Sequence, residues 1–410
     1  MSNRSDGDMP SLTHQGSNVL AAEGNGIATN SALAAEQLKT SSVTAEQPVI
    51  HPAHFAREHI RSFDRTDQHR PYYAALDLGT NNCRLLVASP TKHGRFRVVD
   101  SFSRIVRLGE GLGATGRLSD AAMTRAVDAL VICAAKLKSR PMRKIRLIAT
   151  EACRAATNGE EFLERVKVRT GLRLEVINRE TEAKLAVAGC APLVANNAPG
   201  AVLFDIGGGS TEVILCDLRT RRGRRLENNI AAWTSLPVGV VTLAEKFGGQ
   251  DVSPEIYQAM VDHVLGLIDN FEGKNALGEL ANHKDFHLLG TSGTVTTLAG
   301  LLLGLERYDR RQVDGLWVSG KEMDDTTTTL KGWSFAERVA NACIGPDRAD
   351  LVLAGCAVLD AIRLVWPSDR LRVADRGLRE GVLMNLMAAD GAWRANRFQP
   401  KHDNAAGQGA

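Results

Sequence analysis

Two segments of this 410-residue chain have the residue types to hold a phosphate, and they repeat one another. LDLGTNN sets Asp77, Gly79, Thr80, Asn81 and Asn82 in one turn; FDIGGGST sets Asp205, Gly207, Gly208, Gly209, Ser210 and Thr211 in another. Glycine gives a tight turn its backbone freedom and lets main-chain N–H groups come close to an anion. Those donors, with the hydroxyls of Thr80, Ser210 and Thr211, make a cradle for phosphate oxygens. An aspartate at the end of the preceding strand, Asp77 or Asp205, can hold a hydrated Mg²⁺ bridging to the phosphates. One Asp-x-Gly turn is ordinary turn chemistry. Two in matched register, the second with GGGST, signal a phosphate site.

Further candidates lie between the turns. IATEACR ends in Arg154 just after a strand, where a guanidinium can grip a phosphate through two oxygens. NRETEAKLAVAG follows another strand and opens a helix, with Glu180 and Glu182 near its start, where negative charge is favoured. Taken alone, glutamates at a helix start mostly cap it, and a lone arginine is mostly a surface residue.

The elements that must position these groups read as strands with interleaved helices. Tyr72–Leu78 and Cys83–Ala88 are short apolar runs around the turn GTNN, which predicts a hairpin, and Phe96–Val106 adds a third strand. Ser119 caps a helix with an apolar stripe of Met123, Ala126, Val127, Leu130 and Val131. Lys144–Ala149 and Leu174–Ile177 read as strands, Glu160–Val168 and Glu180–Cys190 as helices. The opening pattern then returns about 130 residues later, with Val202–Ile206 and Thr211–Leu215 around GGGS, a further strand over Ala231–Val238 and a helix over Pro254–Phe271. Two copies of a hairpin-led α/β unit mark a duplicated fold, whose ligand site is the cleft between the halves. The expected division is a polar arm over 1–70, a first α/β domain over 71–192, a second over 193–392 and a flexible tail over 393–410. The arm and tail are too poor in apolar residues to offset the entropy of ordering.

Composition excludes several classes. An apolar share of 44% belongs to a globular protein, and no run approaches a membrane span. A net charge of +3 does not indicate a nucleic-acid or membrane partner. Seven cysteines without C-x-x-C pairs argue against zinc and against a disulfide scaffold. With no secretory signal, a reducing cytoplasm is expected. The basic run Arg219–Arg225 and the group Arg307, Arg310 and Arg311 read as solvated surface. His263 and His287 read as ordinary helix and strand residues, and Cys83, Cys190 and Cys216 as small core residues. GTSGTVTTLAG either faces a ligand or supports the second turn.

In order from about Tyr73 to Leu386, DLGTNN, VRLGEGLGATGRLS, IATEACR, ETEA, VLFDIGGGSTE, LPVGVVTLAEKF, LLGTSGTVTTLAG and ADRGLREGVL resemble the motifs of the exopolyphosphatase/guanosine-pentaphosphatase (Ppx/GppA) family. The resemblance implies duplicated RNase H-like domains of the actin-like ATPase (ASKHA) type with an interdomain cleft. It implies Glu182 as the catalytic carboxylate that activates water, Glu212 and Asp205 as acids that hold Mg²⁺ and order the nucleophile, and Arg154 as the arginine that engages the phosphoryl group. Asp77 with Gly79, Thr80 and Asn81 matches the first phosphate loop, and Gly207, Gly208, Gly209 and Ser210 the second. Phosphoryl transfer needs mainly positioning and charge neutralisation, so each role is physically sensible.

Many relatives carry serine where this chain has Asn82, which replaces a hydroxyl contact by an amide one. The chain resembles the short, two-domain members, without a C-terminal HD-type helical domain, so a weaker grip on very long polymers is expected. The implied reaction is release of orthophosphate from the end of inorganic polyphosphate. The same cleft suits guanosine pentaphosphate, and the shared motifs do not separate the two. A small-molecule kinase would need an aspartate base for an alcohol, where Glu182 stands instead. A non-catalytic alarmone receptor would not need Glu182, Asp205, Glu212 and Arg154 together. A homodimer is expected from the resemblance alone.

Overall fold

The computed structural model describes residues 71–92, 94–220 and 225–393. The expected arm over 1–70, residues 394–410 of the tail and the centre of the Arg219–Arg225 run lie outside these. Among the described residues no helix is long and apolar enough to cross a membrane.

Strands β1 (Tyr72–Leu78), β2 (Asn82–Pro90), β3 (Phe96–Ile105), β4 (Met142–Ala149) and β5 (Glu175–Val176) form one sheet in the order β3-β2-β1-β4-β5. A second sheet holds β6 (Gly200–Ile206), β7 (Thr211–Asp217), β8 (Ile230–Leu236), β9 (His287–Thr291), β10 (Trp317–Ser319) and β11 (Arg370–Ala374), in the order β10-β11-β9-β6-β7-β8. Read from its other edge, the second sheet is the first again with β10 added. In each, the opening strand pairs antiparallel with the next, which pairs antiparallel with a third. On its other side the opening strand runs parallel to a fourth, and the fourth to a fifth. This is the duplicated RNase H-like, actin-like α/β fold.

Side chains alternate along a strand, so each opening strand serves two cores. Ala74, Leu76 and Leu78 face the Asp120–Lys138 helix, which Ser119 caps by accepting from the Ala122 N–H at 3.2 Å. Tyr73 and Ala75 face the opposite way, into a cluster with Leu185, Val382 and Leu383. In the second sheet, Val202, Phe204 and Ile206 face the large outer core, while Ala201 and Leu203 pack with Ala183, Val187 and Cys190. The Arg179–Cys190 helix therefore contributes to the inner cores of both sheets.

The Leu378–Ala389 helix falls by sequence in the second half, yet Leu378, Val382, Leu383 and Met387 pack on the first sheet with Tyr73 and Ile148. An apolar helix face dictates that it must be covered, not by which sheet. This helix crosses Arg179–Cys190 so closely that a Cβ on Gly381 would lie 2.0 Å from the Leu185 carbonyl oxygen, and one on Gly189 would lie 1.9 Å from that of Gly377. Glycine is required at both points of contact.

Candidate active site

The alternation that sends Tyr73 and Ala75 inward sends Asp77 inward too, and Asp205 follows Ala201 and Leu203 in the same way. Both aspartates thus end their strands facing the Arg179–Cys190 helix. Asn178 caps that helix, its side chain accepting from the Thr181 N–H at 2.8 Å, which sets the helical phase. In that phase Glu180 points outward and pairs with Lys184 at 2.6 Å, while Glu182 turns inward. One cleft is lined by Asp77, Gly79, Thr80, Asn81, Glu182, Asp205, Gly207, Gly208, Gly209, Ser210 and Glu212. Of the sequence-predicted candidates, Arg154, Thr211 and Glu180 are not on its wall.

The two turns close in the same way: Gly79 N–H donates to Asn82 O at 2.9 Å, and Gly207 N–H to Ser210 O at 2.9 Å. Of the hydroxyls expected in the cradle, Thr211 is fully buried and donates to Val238 O at 2.6 Å, so it belongs to the core. Alternation turns it, with Val213 and Leu215, toward the outer core and away from the cleft. Ser210 donates to Glu212 Oε1 at 2.9 Å, and Ser235 donates to the same oxygen at 2.8 Å. The amide oxygens of Asn81 and Asn82 are buried with no hydrogen-bond partner among the described residues, and both residues line the cleft.

Arg154 reaches the site through another side chain. Its Nη1 donates to Ile177 O at 2.6 Å, and Nη1 and Nη2 approach Glu182 Oε2 at 3.3 and 3.2 Å. Its Nε and Nη2 donate to Glu151 Oε2 at 3.0 and 2.5 Å. The guanidinium faces two carboxylates rather than open cleft.

Burial and mutual repulsion dominate the electrostatics. Burial, then the charge of Glu212, pushes Glu182 up to about 9 against the opposing pull of Arg154. Burial and Asp205 push Glu212 up to about 7 in spite of its two serine donors. Burial raises Asp205 to about 6 and raises Asp77, with Arg84 opposing in both cases. A cleft walled by these acids favours positive charge. No three of the described His, Cys, Asp and Glu side chains come together as a ready metal cage. Two inward aspartates and orphaned amide oxygens nevertheless fit a hard cation such as Mg²⁺, which takes one or two carboxylates and completes its shell with water and phosphate oxygens.

Residues 86–389 match the Ppx/GppA phosphatase family. The chain belongs to that family. Its similarity to Exopolyphosphatase 2 of Mycobacterium tuberculosis is 29% identity over 325 residues, covering 76% of this chain and 98% of that one. A guanosine-5'-triphosphate,3'-diphosphate pyrophosphatase of Aeromonas hydrophila is also 29% identical, over 77% of this chain but only 60% of its own length. Among solved structures, the Ppx/GppA member of Aquifex aeolicus superposes with a TM-score of 0.61 at 29% identity, over 78% of this chain and 98% of that one. An exopolyphosphatase-like protein gives 0.67 at 28% identity, over 77% and 97%. Membership makes this chain an enzyme of a family of phosphoanhydride hydrolases.

Several residues of this Ppx/GppA site escaped the sequence reading. Arg84, Arg348 and Arg379 line a cavity that shares Asp77, Asp205, Ser292 and Gly293 with the cleft. The Arg348 side chain has only Thr297 Oγ1, at 3.4 Å, and neither the Arg84 nor the Arg379 side chain makes a hydrogen bond or ion pair among the described residues. Arg84 had a signal, since it occupies the place in the first hairpin that Glu212 holds in the second. Glu151, three residues before Arg154, also lines the cleft. In GTSGTVTTLAG, Ser292, Gly293, Thr294 and Thr297 face the cleft, while a Cβ on Gly290 would meet the Phe204 ring at 2.6 Å, so the segment both lines the cleft and packs against β6. Arg310, read as solvated, instead pairs with Glu380 at 2.7 Å and Asp375 at 3.3 Å. Its carboxylate partners lie far along the chain, out of reach of local charge patterning.

Proposed function

We propose that this protein is an exopolyphosphatase, releasing orthophosphate from the end of inorganic polyphosphate by in-line attack of a water that Glu182 orients and deprotonates. The observation that carries the reading is the convergence of both phosphate turns, Asp77, Asp205, Glu212 and Glu182 on one cleft. Phosphoryl transfer is mostly a matter of positioning and neutralising charge. The main-chain N–H groups of the two turns would hold the terminal phosphate, and the guanidiniums of Arg84, Arg348 and Arg379, which have no ion-pair partner among the described residues, the phosphates behind it. A Mg²⁺ held by Asp77 and Asp205 would supply positive charge against the phosphate oxygens. Positive charge entering the cleft favours ionised Glu182, which can then accept the proton of water. Ser210 and Ser235 fix Glu212 beside it.

Guanosine pentaphosphate ends in the same phosphoanhydride, and the Aeromonas relative is named for that type of substrate. Phosphate release is to be measured in parallel from polyphosphates of defined lengths, from guanosine pentaphosphate, and from ATP with candidate sugars. Turnover of polyphosphate with a lower KM than that of the nucleotide supports the proposal. Preference for guanosine pentaphosphate replaces the substrate while leaving the chemistry. A phosphorylated sugar would defeat both.

A further inference from the structure

Glu151 opens the short Glu151–Ala155 helix and has no part in the reaction as described above. Its side chain is 12% exposed, lines the cleft and lies against the second phosphate turn, where a Cβ on Gly209 would be 3.5 Å from its Cγ. A carboxylate so placed would repel a phosphate unless it were neutralised. Two arginines do this. Arg154 donates to its Oε2 from Nε and Nη2, and Arg179 donates from Nε to Oε2 at 3.2 Å and from Nη2 to Oε1 at 2.7 Å. Burial opposes ionisation of Glu151, but the two guanidiniums prevail and hold its carboxyl below the ordinary range.

The result is a row, Arg179–Glu151–Arg154–Glu182, joining two chain segments. Arg154 sits between two competing carboxylates, with its remaining nitrogen held by Ile177 O. Released from Glu151, its guanidinium would be free to swing toward phosphate in the cleft and away from Glu182. A merely structural ion cluster would need no acid on the cleft wall, and salt bridges of this kind add little to stability.

We propose that Glu151 is a positioning residue of the hydrolysis: it clamps Arg154, with Arg179 as its counterweight, so that Arg154 holds Glu182 in place for attack. The proposal rests on Glu182 being the catalytic carboxylate. A misplacement of about 1 Å can cost about 100-fold in rate. Glu151→Ala should therefore lower kcat by about 10- to 100-fold without raising KM, since the freed Arg154 gains access to substrate. Glu151→Asp, which keeps the charge, should recover part of the loss.

The test is a double-mutant cycle of Glu151→Ala and Arg154→Ala, with kcat and KM resolved and thermal melting followed, and with Glu182→Gln assayed alongside. Little further loss of kcat when Glu151→Ala is added to Arg154→Ala is the expected result. Unchanged kcat in Glu151→Ala, additive losses in the cycle, or a raised KM at constant kcat would each overturn the proposal. If Glu151→Ala melts early, Glu151→Gln, of the same shape, takes its place in the cycle. An active Glu182→Gln would remove the catalytic assignment instead, so the two failures are distinguishable.

Discussion

The two phosphate hairpins have the same turn, the same register and opposite chemistry. Asp77 stands opposite Arg84 across the β1–β2 pair, and Asp205 stands opposite Glu212 across β6–β7. Duplication kept the aspartate and the turn hydrogen bond and diverged at one cross-strand position. The first half there presents a guanidinium with no hydrogen-bond or ion-pair partner among the described residues, the second a buried carboxylate held by two serines. The turns differ in the same sense. Cβ atoms on Gly208 and Gly209 would lie 3.0 Å from Thr80 Cβ and 2.9 Å from Thr80 Oγ1, so the second turn is bare because the side chains of the first press on it. Under the proposed reaction the first hairpin would grip an anion and the second would handle charge during turnover.

Exchanging the cross-strand residues should break this division most sharply. Glu212→Gln keeps the shape and removes the charge, and kcat should fall by about 100- to 1,000-fold with little change in KM, the pattern of a group acting in the transition state. Steady-state kinetics that showed only a higher KM would erase the contrast between the halves.

The turns themselves should differ in tolerance. A Cβ on Gly207 would lie 2.8 Å from the Ser210 carbonyl oxygen, whereas one on Gly79 would meet nothing nearer than 3.7 Å. Gly207→Ala should cost about 1–3 kcal/mol of stability, as overpacking does, and Gly79→Ala much less. Equal losses in denaturant unfolding would show the turns to be interchangeable. Arg84→Ala should raise KM about 10-fold with kcat nearly kept, the loss of one charge-assisted contact to substrate.

The smallest effect is on stability against pH. Burial and mutual repulsion raise Asp205, Glu212 and Glu182 in the folded protein above the ordinary carboxylate value near 4. The folded form then binds more protons than the unfolded one, so metal-free stability should fall as pH rises from about 4 through 9. Added Mg²⁺ should raise the melting temperature more at pH 8 than at pH 6. Glu212→Gln should flatten the slope. A melting temperature that climbs with pH would show these acids to be better compensated than their surroundings indicate.

Much of this was legible in the sequence because its signals are local. Strand alternation and the Asp-x-Gly turns located both hairpins, and their repeat implied the duplicated fold. The choice of Glu182 over Glu180 rested on family resemblance, and the Asn178 cap supplies its physical reason. What lay beyond reading depends on distant partners. The apolar face of Leu378–Ala389 does not name the first sheet, and Arg310 does not announce Glu380. Arg154 looked like a phosphate ligand because Glu151 and Glu182 come together around it only on folding. Arg84 was readable once the two hairpins were compared residue by residue.

If Glu182 activates water in a cleft where other groups hold the phosphate, binding and turnover should separate when its charge is removed. Binding of a non-turned-over polyphosphate and single-turnover phosphate release should be measured for wild type and Glu182→Gln at saturating substrate and Mg²⁺. Affinity within a few-fold of wild type and release slowed by about 1,000-fold or more are expected. Release at the wild-type rate by Glu182→Gln would contradict this.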